Sequence, residues 1–338
     1  MLGTNENNLY ANNKKKIENI IKKYDNIKSA KLIKSTIKNM NIKNDDACFI
    51  KNGKVRYMYD YNNNLLLFAS DRLSAFNRDI TTIPLKGVIL HKISKWWFER
   101  TKDIVPNHII KSNNDRLMEV KKCNVFPIEF IMRSYLTGTT ETSIWKNYLS
   151  GSRNYCGHIL PDGLKKNQKL ENIILTPTTK SDKDELITKE KIIEKNIMSQ
   201  QDWETCEKYS FLLFNYGQQI SRENGLILVD TKYEFGKDKY GNIVLVDEIH
   251  TPDSSRFWLE HSYNELYSKG EEPDSIDKEF IRKWIVEKYK NPYDLKVNIE
   301  VSNELRNKLA LKYIQLYEII TGNTAEINIY NDNVDINI

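Results

Sequence analysis

Asp230, Lys232 and Glu234 alternate with apolar residues in the segment Leu226-Ile-Leu-Val-Asp-Thr-Lys-Tyr-Glu-Phe-Gly236. A second apolar-charged segment, Val244-Leu-Val-Asp-Glu-Ile-His-Thr-Pro-Asp-Ser-Ser-Arg256, follows a short polar stretch. Extended chain sends successive side chains to opposite faces. Ile227, Val229, Tyr233 and Phe235 would then make one apolar face, and Asp230, Lys232 and Glu234 the other. With Gly236 to Gly241 taken as the connection, the return strand brings Asp247 onto the charged face. Such a cluster is costly to bury unless it holds an ion or a charged ligand. Carboxylates suit a hard divalent cation such as magnesium, which commonly takes one or two of them together with phosphate oxygens. A lysine between them can neutralise a phosphate or carboxylate, and Arg256 can grip a planar anion with two parallel hydrogen bonds. The competing reading is a salt-bridged, solvated face of an edge hairpin.

A second place for anion chemistry is the turn Asn52-Gly-Lys-Val-Arg56. Gly53 would let backbone amides approach an anion, and Lys54 adds charge. Taken alone it reads equally as a plain hairpin turn, and the spacing of a Walker A loop is absent.

These residues need a scaffold, and the pattern predicts one. Ala47 to Ile50, Val55 to Tyr61 and Leu65 to Ser70 read as short antiparallel strands, with turns at Asn52-Gly53 and Tyr61 to Asn64. Lys86 to Thr101 reads as a helix. Its tryptophans, Trp96 and Trp97, are assigned to the core. Arg116 to Cys123 and Pro127 to Tyr135 read as strands, and Thr140 to Leu149 as a helix. Ser199 caps a long helix that runs to Arg222 and stops at Asn224-Gly225. Two more helices are expected at Asp277 to Lys288 and Ser302 to Thr321, then a polar tail from Asn323. Near the N-terminus, Ile17, Ile20, Ile21 and Tyr24 have helical spacing on a lysine-rich background.

Composition narrows the function classes. At 338 residues the chain can bury a substantial core and commonly holds two domains. Its net charge of +5 invites a nucleic-acid reading, but residues 1–46 hold ten lysines and five acids and so carry the whole excess. A nucleic-acid binder would have to bind through that segment. The four cysteines have no paired spacing and read as free thiols; the five histidines lack metal-ligand spacing. His250 is read as a packing or hydrogen-bonding residue. No apolar run approaches the ~18 residues of a membrane span. The N-terminal extension has no arginine and does contain acids, unlike typical transit peptides. A cytoplasmic protein is expected, with residues 1–46 read as a short solvated helix that docks on the domain and organellar targeting as the alternative.

The strings that carry charge also carry a resemblance. Gly53-Lys-Val-Arg56, Ala69-Ser-Asp-Arg-Leu-Ser-Ala-Phe76, Phe126-Pro-Ile-Glu-Phe130 with Arg133, Tyr135-Leu-Thr-Gly138, Leu175-Thr-Pro-Thr-Thr-Lys180, Val229-Asp-Thr-Lys-Tyr-Glu-Phe-Gly236 and Asp247-Glu-Ile-His-Thr-Pro-Asp-Ser-Ser-Arg-Phe-Trp258 occur in the order seen in SAICAR synthetases. The chain resembles that family over about residues 47 to 295. Arg153-Asn-Tyr-Cys-Gly157 and Leu164-Lys-Lys-Asn-Gln-Lys-Leu170 look most like its longer, plant-type members.

The resemblance implies a two-lobed α+β fold: a small antiparallel lobe similar to a kinase N-lobe, and a larger ATP-grasp-like domain. The expected divisions are an extension at 1–46, a nucleotide-binding lobe at 47–125, a catalytic domain at 126–295 and a C-terminal helix and tail at 296–338. It implies ATP-dependent joining of L-aspartate to carboxyaminoimidazole ribotide in purine biosynthesis, through an acyl phosphate, with ATP and magnesium as cofactors. The partners are those small molecules, with no nucleic acid and no membrane, in a monomer or homodimer. By position, Glu234 and Asp247 match magnesium ligands, and Asp230 and Lys232 match catalytic residues at the ribotide. Arg133, Thr139, Ser254 and Arg256 match ribotide-anion contacts, and Ser74 lies in a loop assigned to aspartate. Gly53, Lys54, Arg56, Glu129 and Lys180 match the nucleotide site. Two positions depart from the family pattern: Thr139 stands where serine is usual, and Asn77 where the motif ends in aspartate. Another ATP-using ligase or kinase on a similar fold would share the carboxylates but lack the Arg133 and Arg256 pair.

Overall fold

Asparagine-rich turns set the register of the first sheet. Strands β1 (Ala47–Asn52), β2 (Arg56–Tyr61) and β3 (Asn64–Ala69) run antiparallel. Asn62 and Asn63 both lie in the left-handed region, φ 46° and 64°, and close the β2–β3 hairpin as a two-residue turn. The same device closes the hairpin of β4 (Arg72–Ala75) and β5 (Arg78–Thr82), with Phe76 and Asn77 at φ 53° and 57°. The computed structural model describes residues 47–112, 114–181 and 184–323. The helix expected at Lys14 to Tyr24 lies outside them.

Helix α1 (Lys86–Thr101) has the expected limits. After it, β6 (Ile109–Lys111) and β7 (Leu117–Lys121) complete a five-stranded sheet in the order β1-β2-β3-β7-β6. The short β8 (Asn124–Val125) leads to β9 (Ile128–Tyr135), a strand of the second sheet. There follow α2 (Ile144–Leu149), the hairpin β10 (Asn154–Tyr155) and β11 (His158–Ile159), and β12 (Lys169–Leu175) and β13 (Thr178–Thr179). Helices α3 (Lys189–Glu194) and α4 (Gln200–Glu223) precede the long β14 (Leu226–Lys237). Strands β15 (Ile243–Val246) and β16 (Ser255–Leu259) and helices α5 (Glu260–Lys269), α6 (Glu279–Lys288) and α7 (Asn303–Thr321) complete the order. The second sheet runs β12-β9-β14-β15, with β13 paired to β9 and β8 and β16 paired to β14. Both sheets are antiparallel and the class is α+β, as expected. Among the described residues no helix is long and apolar enough to cross a membrane.

Caps fix the helix ends. Ser199 Oγ accepts the Asp202 amide and Ser302 Oγ the Leu305 amide. Helix α2 starts at Ile144 rather than Thr140, because Ser143 is its N-cap and Thr140 to Ser143 form a turn. The apolar faces of β9 and β14 and the inner faces of α1, α4 and α7 share one buried cluster, with Phe130, Tyr233, Phe235, Trp97, Phe214 and Tyr313 among its members. His91, His108 and His250 are buried near it, and burial pushes all three imidazoles down to about 3. His250 Nε2 meets the Tyr233 hydroxyl at 2.5 Å and its ring stands edge-on to Trp97, a packing role as expected. The four cysteines are free.

Three details of β14 and β15 differ from the simple alternation. A bulge opposite β16, between Leu228 and Asp230, inserts Val229 as an extra residue. An extra residue reverses the alternation. Ile227 and Val229 therefore join a separate cluster with Tyr135, Trp258 and Tyr263, while Leu226, Leu228, Tyr233 and Phe235 enter the main core. Next, Gly236 is in the strand, not in the connection. It pairs with both Val125 and Val244, and an added Cβ would lie 3.0 Å from the Asn124 carbonyl oxygen. Finally, the pairing Glu234↔Val246 puts even residues opposite even ones, so regular pairing would not carry Asp247 to the charged face. Asp247 instead follows the end of β15 in the left-handed region, φ 65°, where the strand alternation no longer applies.

Candidate active site

The face of the second sheet turned away from the main core carries the charges. On β9, Ile128, Phe130 and Met132 enter the core, so Glu129, Ile131 and Arg133 point the other way. The register sets Asp230 opposite Arg133 and Lys232 opposite Ile131. On the other side of β14 the bulge sets Asp230 opposite Arg256. Asp230 thus lies between two arginines from two neighbouring strands. Its Oδ2 accepts Arg256 Nη1 at 2.6 Å and Arg133 Nη1 at 3.3 Å. All three side chains are at most a tenth exposed.

Each arginine has a further anchor. Arg133 Nε donates to Thr176 Oγ1 at 2.9 Å, and the guanidinium stands 5.8 Å from the Tyr155 ring. Arg256 donates through Nε and Nη2 to Glu279 Oε2 at 3.3 and 3.1 Å. Thr139 donates to the other oxygen of Glu279 at 2.7 Å. Burial pushes the Glu279 carboxyl up, but Arg256, Arg282 and the Thr139 hydroxyl outweigh it and hold the group down at about 2. Burial would lower the Arg256 pKa, yet Asp230 and Glu279 raise it. Gly138, at φ 108°, lets the preceding loop lie against Arg256: an added Cβ would be 2.9 Å from Nη2. Glu279 had no role in the sequence reading. It lies 23 residues from Arg256, outside every motif, and only its position in the first turn of a helix marked it.

Further along β14, Lys232 Nζ donates to Glu129 Oε1 at 2.9 Å and to Glu234 Oε1 at 2.5 Å. Lys180 donates to the second oxygen of Glu234, and Thr178 donates to the second oxygen of Glu129 at 2.9 Å. Burial raises the Glu234 carboxyl, but Lys232 and Lys180 more than offset this and hold it at about 2. Burial works against the charge of Lys232, while Glu234, Glu129 and Asp247 raise its pKa well above the usual lysine value. Both partners are therefore charged at neutral pH.

Asp247 is a third exposed and accepts Arg56 Nη1 at 2.8 Å. The other arm of Arg56 meets Glu248 at 3.0 Å, so this buried arginine joins β2 of the first sheet to the end of β15. Gly53 and Lys54 sit in the turn before it. Lys54 is mostly exposed and pairs with Asp184 at 3.4 Å. Ser254 turns back on its own loop: its hydroxyl lies 3.1 Å from Thr251 Oγ1, and its carbonyl accepts the Lys232 amide at 3.0 Å. Ser74 donates to Asp79, its cross-strand partner, whereas Asn77 occupies the hairpin turn. A carboxylate is thus present beside Ser74, two positions on from the family's usual aspartate. Asp253, which belongs to the same loop as Ser254, accepts from Lys278 at 3.0 Å and pairs with Lys86 at 2.9 Å.

The arrangement suits the handling of two anions: an arginine pair around Asp230, and a lysine–carboxylate row along Lys232, Glu129, Glu234 and Lys180. Among the described residues no three His, Cys, Asp or Glu side chains converge as a metal cage. Glu234 and Asp247 offer hard carboxylate oxygens near Lys232, which fits a cation that completes its shell with phosphate oxygens.

A family model described as SAICAR synthetase matches residues 49–298. The phosphoribosylaminoimidazole-succinocarboxamide synthase of Legionella pneumophila (strain Paris) is 49% identical over 282 residues, which cover 83% of this chain and 89% of that protein. The chloroplastic synthase of Arabidopsis thaliana is 50% identical over 276 residues, 81% of this chain and 67% of that one. A solved SAICAR synthase from Saccharomyces cerevisiae, complexed with SAICAR, superposes with a TM-score of 0.71 at 32% identity, covering 84% of this chain and 97% of that one.

Proposed function

Because this chain belongs to the SAICAR synthetase family, we propose that its charged sheet face joins the amine of L-aspartate to the carboxylate of carboxyaminoimidazole ribotide through an acyl phosphate. The family's role, ATP-dependent ligation in purine biosynthesis, is this chain's role. The observation that supports the finer reading is Asp230 between Arg133 and Arg256, in line along β14 with Lys232 and Glu234.

A carboxylate is a poor acyl donor because its oxygen is a bad leaving group. Transfer of the ATP γ-phosphoryl group to it makes that oxygen part of a phosphate, which the aspartate amine can displace. The ribotide phosphate and its neighbouring anionic groups would take donors from Arg133, Arg256 and Thr139, with Ser254 beside them, and Asp230 would hold the two guanidiniums in place. Lys232 sits between that region and Glu234, where it can offset charge on the phosphoryl group in flight. The nucleotide would lie over the Gly53-Lys54 turn, with Lys180 and Glu129 near it, and Arg56 would fix Asp247. Ser74, beside Asp79, is assigned to aspartate. Magnesium held by Glu234, Asp247 and phosphate oxygens would supply charge neutralisation. The domain divisions at 46, 125 and 295 and a cytoplasmic, ligand-only way of life, as monomer or homodimer, belong to the same proposal.

Arg256→Lys tests the arginine pair. Lysine keeps the charge but cannot span Asp230 and Glu279 with a planar fork. The KM for the ribotide is expected to rise about tenfold, which is about 1.4 kcal/mol, with the KM for ATP nearly unchanged. Varying each substrate in turn measures this. An even loss over all three substrates would show that Arg256 only pins its loop.

A further inference from the structure

The segment Thr251 to Ser254 lies just before β16 and Arg256, and its one carboxylate, Asp253, is fully engaged. Asp253 Oδ2 forms an ion pair with Lys86 Nζ from α1 at 2.9 Å and accepts from Lys278 Nζ at the start of α6 at 3.0 Å. Its Oδ1 receives the Tyr313 hydroxyl from α7 at 2.6 Å. Lys86 and Tyr313 are completely buried, and Asp253 and Lys278 keep at most 8% of their side-chain surface. Burial pushes the Asp253 carboxyl up, but Lys278, Lys86 and the Tyr313 hydroxyl together hold it well below the usual range. A buried carboxylate that is charged and held by two hydrogen-bond donors and a third, ion-paired lysine, from three helices, is a fixed point in the fold.

What it fixes is the candidate site. Ser254, the next residue, gives its carbonyl to the Lys232 amide at 3.0 Å. Arg256 follows two residues on. The Lys278 amide donates to the Pro252 carbonyl at 3.0 Å, and the residue after Lys278 is Glu279, which holds Arg256 and Thr139. Movement of Asp253 therefore moves the backbone behind Lys232, the root of Arg256 and the acid that orients it. Of the three partners, Tyr313 is the neutral one. Its ring packs in the main core, so the hydroxyl can be removed with the packing kept.

We propose that Tyr313 is a positioning residue for the ligation, fixing Asp253 and through it the loop that carries Lys232 and Arg256 into register. The proposal rests on the assignment of Arg256 and Thr139 to the ribotide. It makes the docking of α7, which carries none of the site motifs, a determinant of ribotide affinity.

Tyr313→Phe in the full-length enzyme is the test, read by steady-state kinetics on each substrate and by hydrogen exchange of peptides spanning 251–256 and 230–233. A rise of about fivefold to tenfold in the ribotide KM is expected, with ATP changed less than about twofold. Exchange should quicken in those two peptides and not in β2 and β3. Lys278→Gln, which keeps a donor to Asp253 but drops the charge, should give the same pattern and serves if Tyr313→Phe does not fold. Local exchange without a kinetic change, a kinetic change without local exchange, or a uniform loss across all substrates each overturns the proposal. Arg256→Lys run beside it separates the two ideas. If that variant leaves the ribotide KM alone, the ribotide assignment has failed, and the exchange data still decide whether Tyr313 holds the loop.

Discussion

Glu234→Gln is expected to slow ligation on the order of 100-fold or more while the protein still folds. The side chain keeps its shape but loses the charge that Lys180 and Lys232 hold in place. An amide can accept from one lysine, but its own N–H groups would face the other. The cation would lose an anionic ligand, and the phosphoryl group would lose the ordered lysine beside it. Both lysines reach solvent, with 43% and 25% of their side chains exposed, so the fold should tolerate the unpaired charge. Asp247→Asn should act in the same direction, since it removes an anionic ligand and weakens the pair with Arg56. Rates measured across a magnesium titration decide it: turnover close to the parent enzyme at saturating magnesium in both variants would remove the metal assignment.

Asp230→Asn should have the larger effect on stability. Two buried guanidiniums share this carboxylate. Arg256 would keep Glu279, but Arg133 would be left with Thr176 and the face of Tyr155. Removing one partner of a buried ion pair typically costs about 3–5 kcal/mol, because the remaining charge is uncompensated in a low-dielectric site. Denaturant unfolding should show a loss of that order, and the ribotide KM should rise with it. A loss below about 1 kcal/mol would mean that the two arginines do not depend on Asp230.

The sequence told more about which residues form the site than about how the chain delivers them. Asp230, Lys232 and Glu234 could be singled out because charge in an apolar strand is costly, Arg256 because it follows them as a planar anion grip, and Arg133 only through the family resemblance; those side chains do share a sheet face. Helix α1 and the Ser199 cap were equally legible, since they are local: periodicity and a hydroxyl at the right position suffice. The bulge at Val229 was not legible. Nothing in the alternation of one strand says that its neighbour skips a residue, so Ile227 and Val229 were put on the face of Tyr233. Gly236 read as a turn residue because its real constraint, the approach of Asn124 and Val125, comes from more than a hundred residues away. Asp247 reaches the site through a single left-handed residue, a conformation that aspartate tolerates without announcing it. Asn77 in the Phe76-Asn77 turn is the converse case. A missing acid in the motif reads as lost chemistry, yet asparagine suits the left-handed position, and Asp79 stands beside Ser74.

The three buried histidines make the folded state a poor proton acceptor compared with its own unfolded chain. His91, His108 and His250 are pushed down to about 3 by burial, whereas in the unfolded chain an imidazole titrates near ~6.5. Between those values the unfolded state binds protons that the native state refuses. The histidines' contribution to stability is thus complete above about pH 6.5 and drains away as the pH falls, by up to about 1.4 kcal/mol per pH unit for each imidazole. Mild acid should therefore act as a denaturant for this protein, offset only in part by Asp277, whose carboxyl is pushed up to about 7 by burial and which takes up a proton in the native state over the same range. Unfolding midpoints in denaturant should drop steadily from pH 7 to pH 5, and a flat profile over that range would show that these imidazoles can be protonated in place.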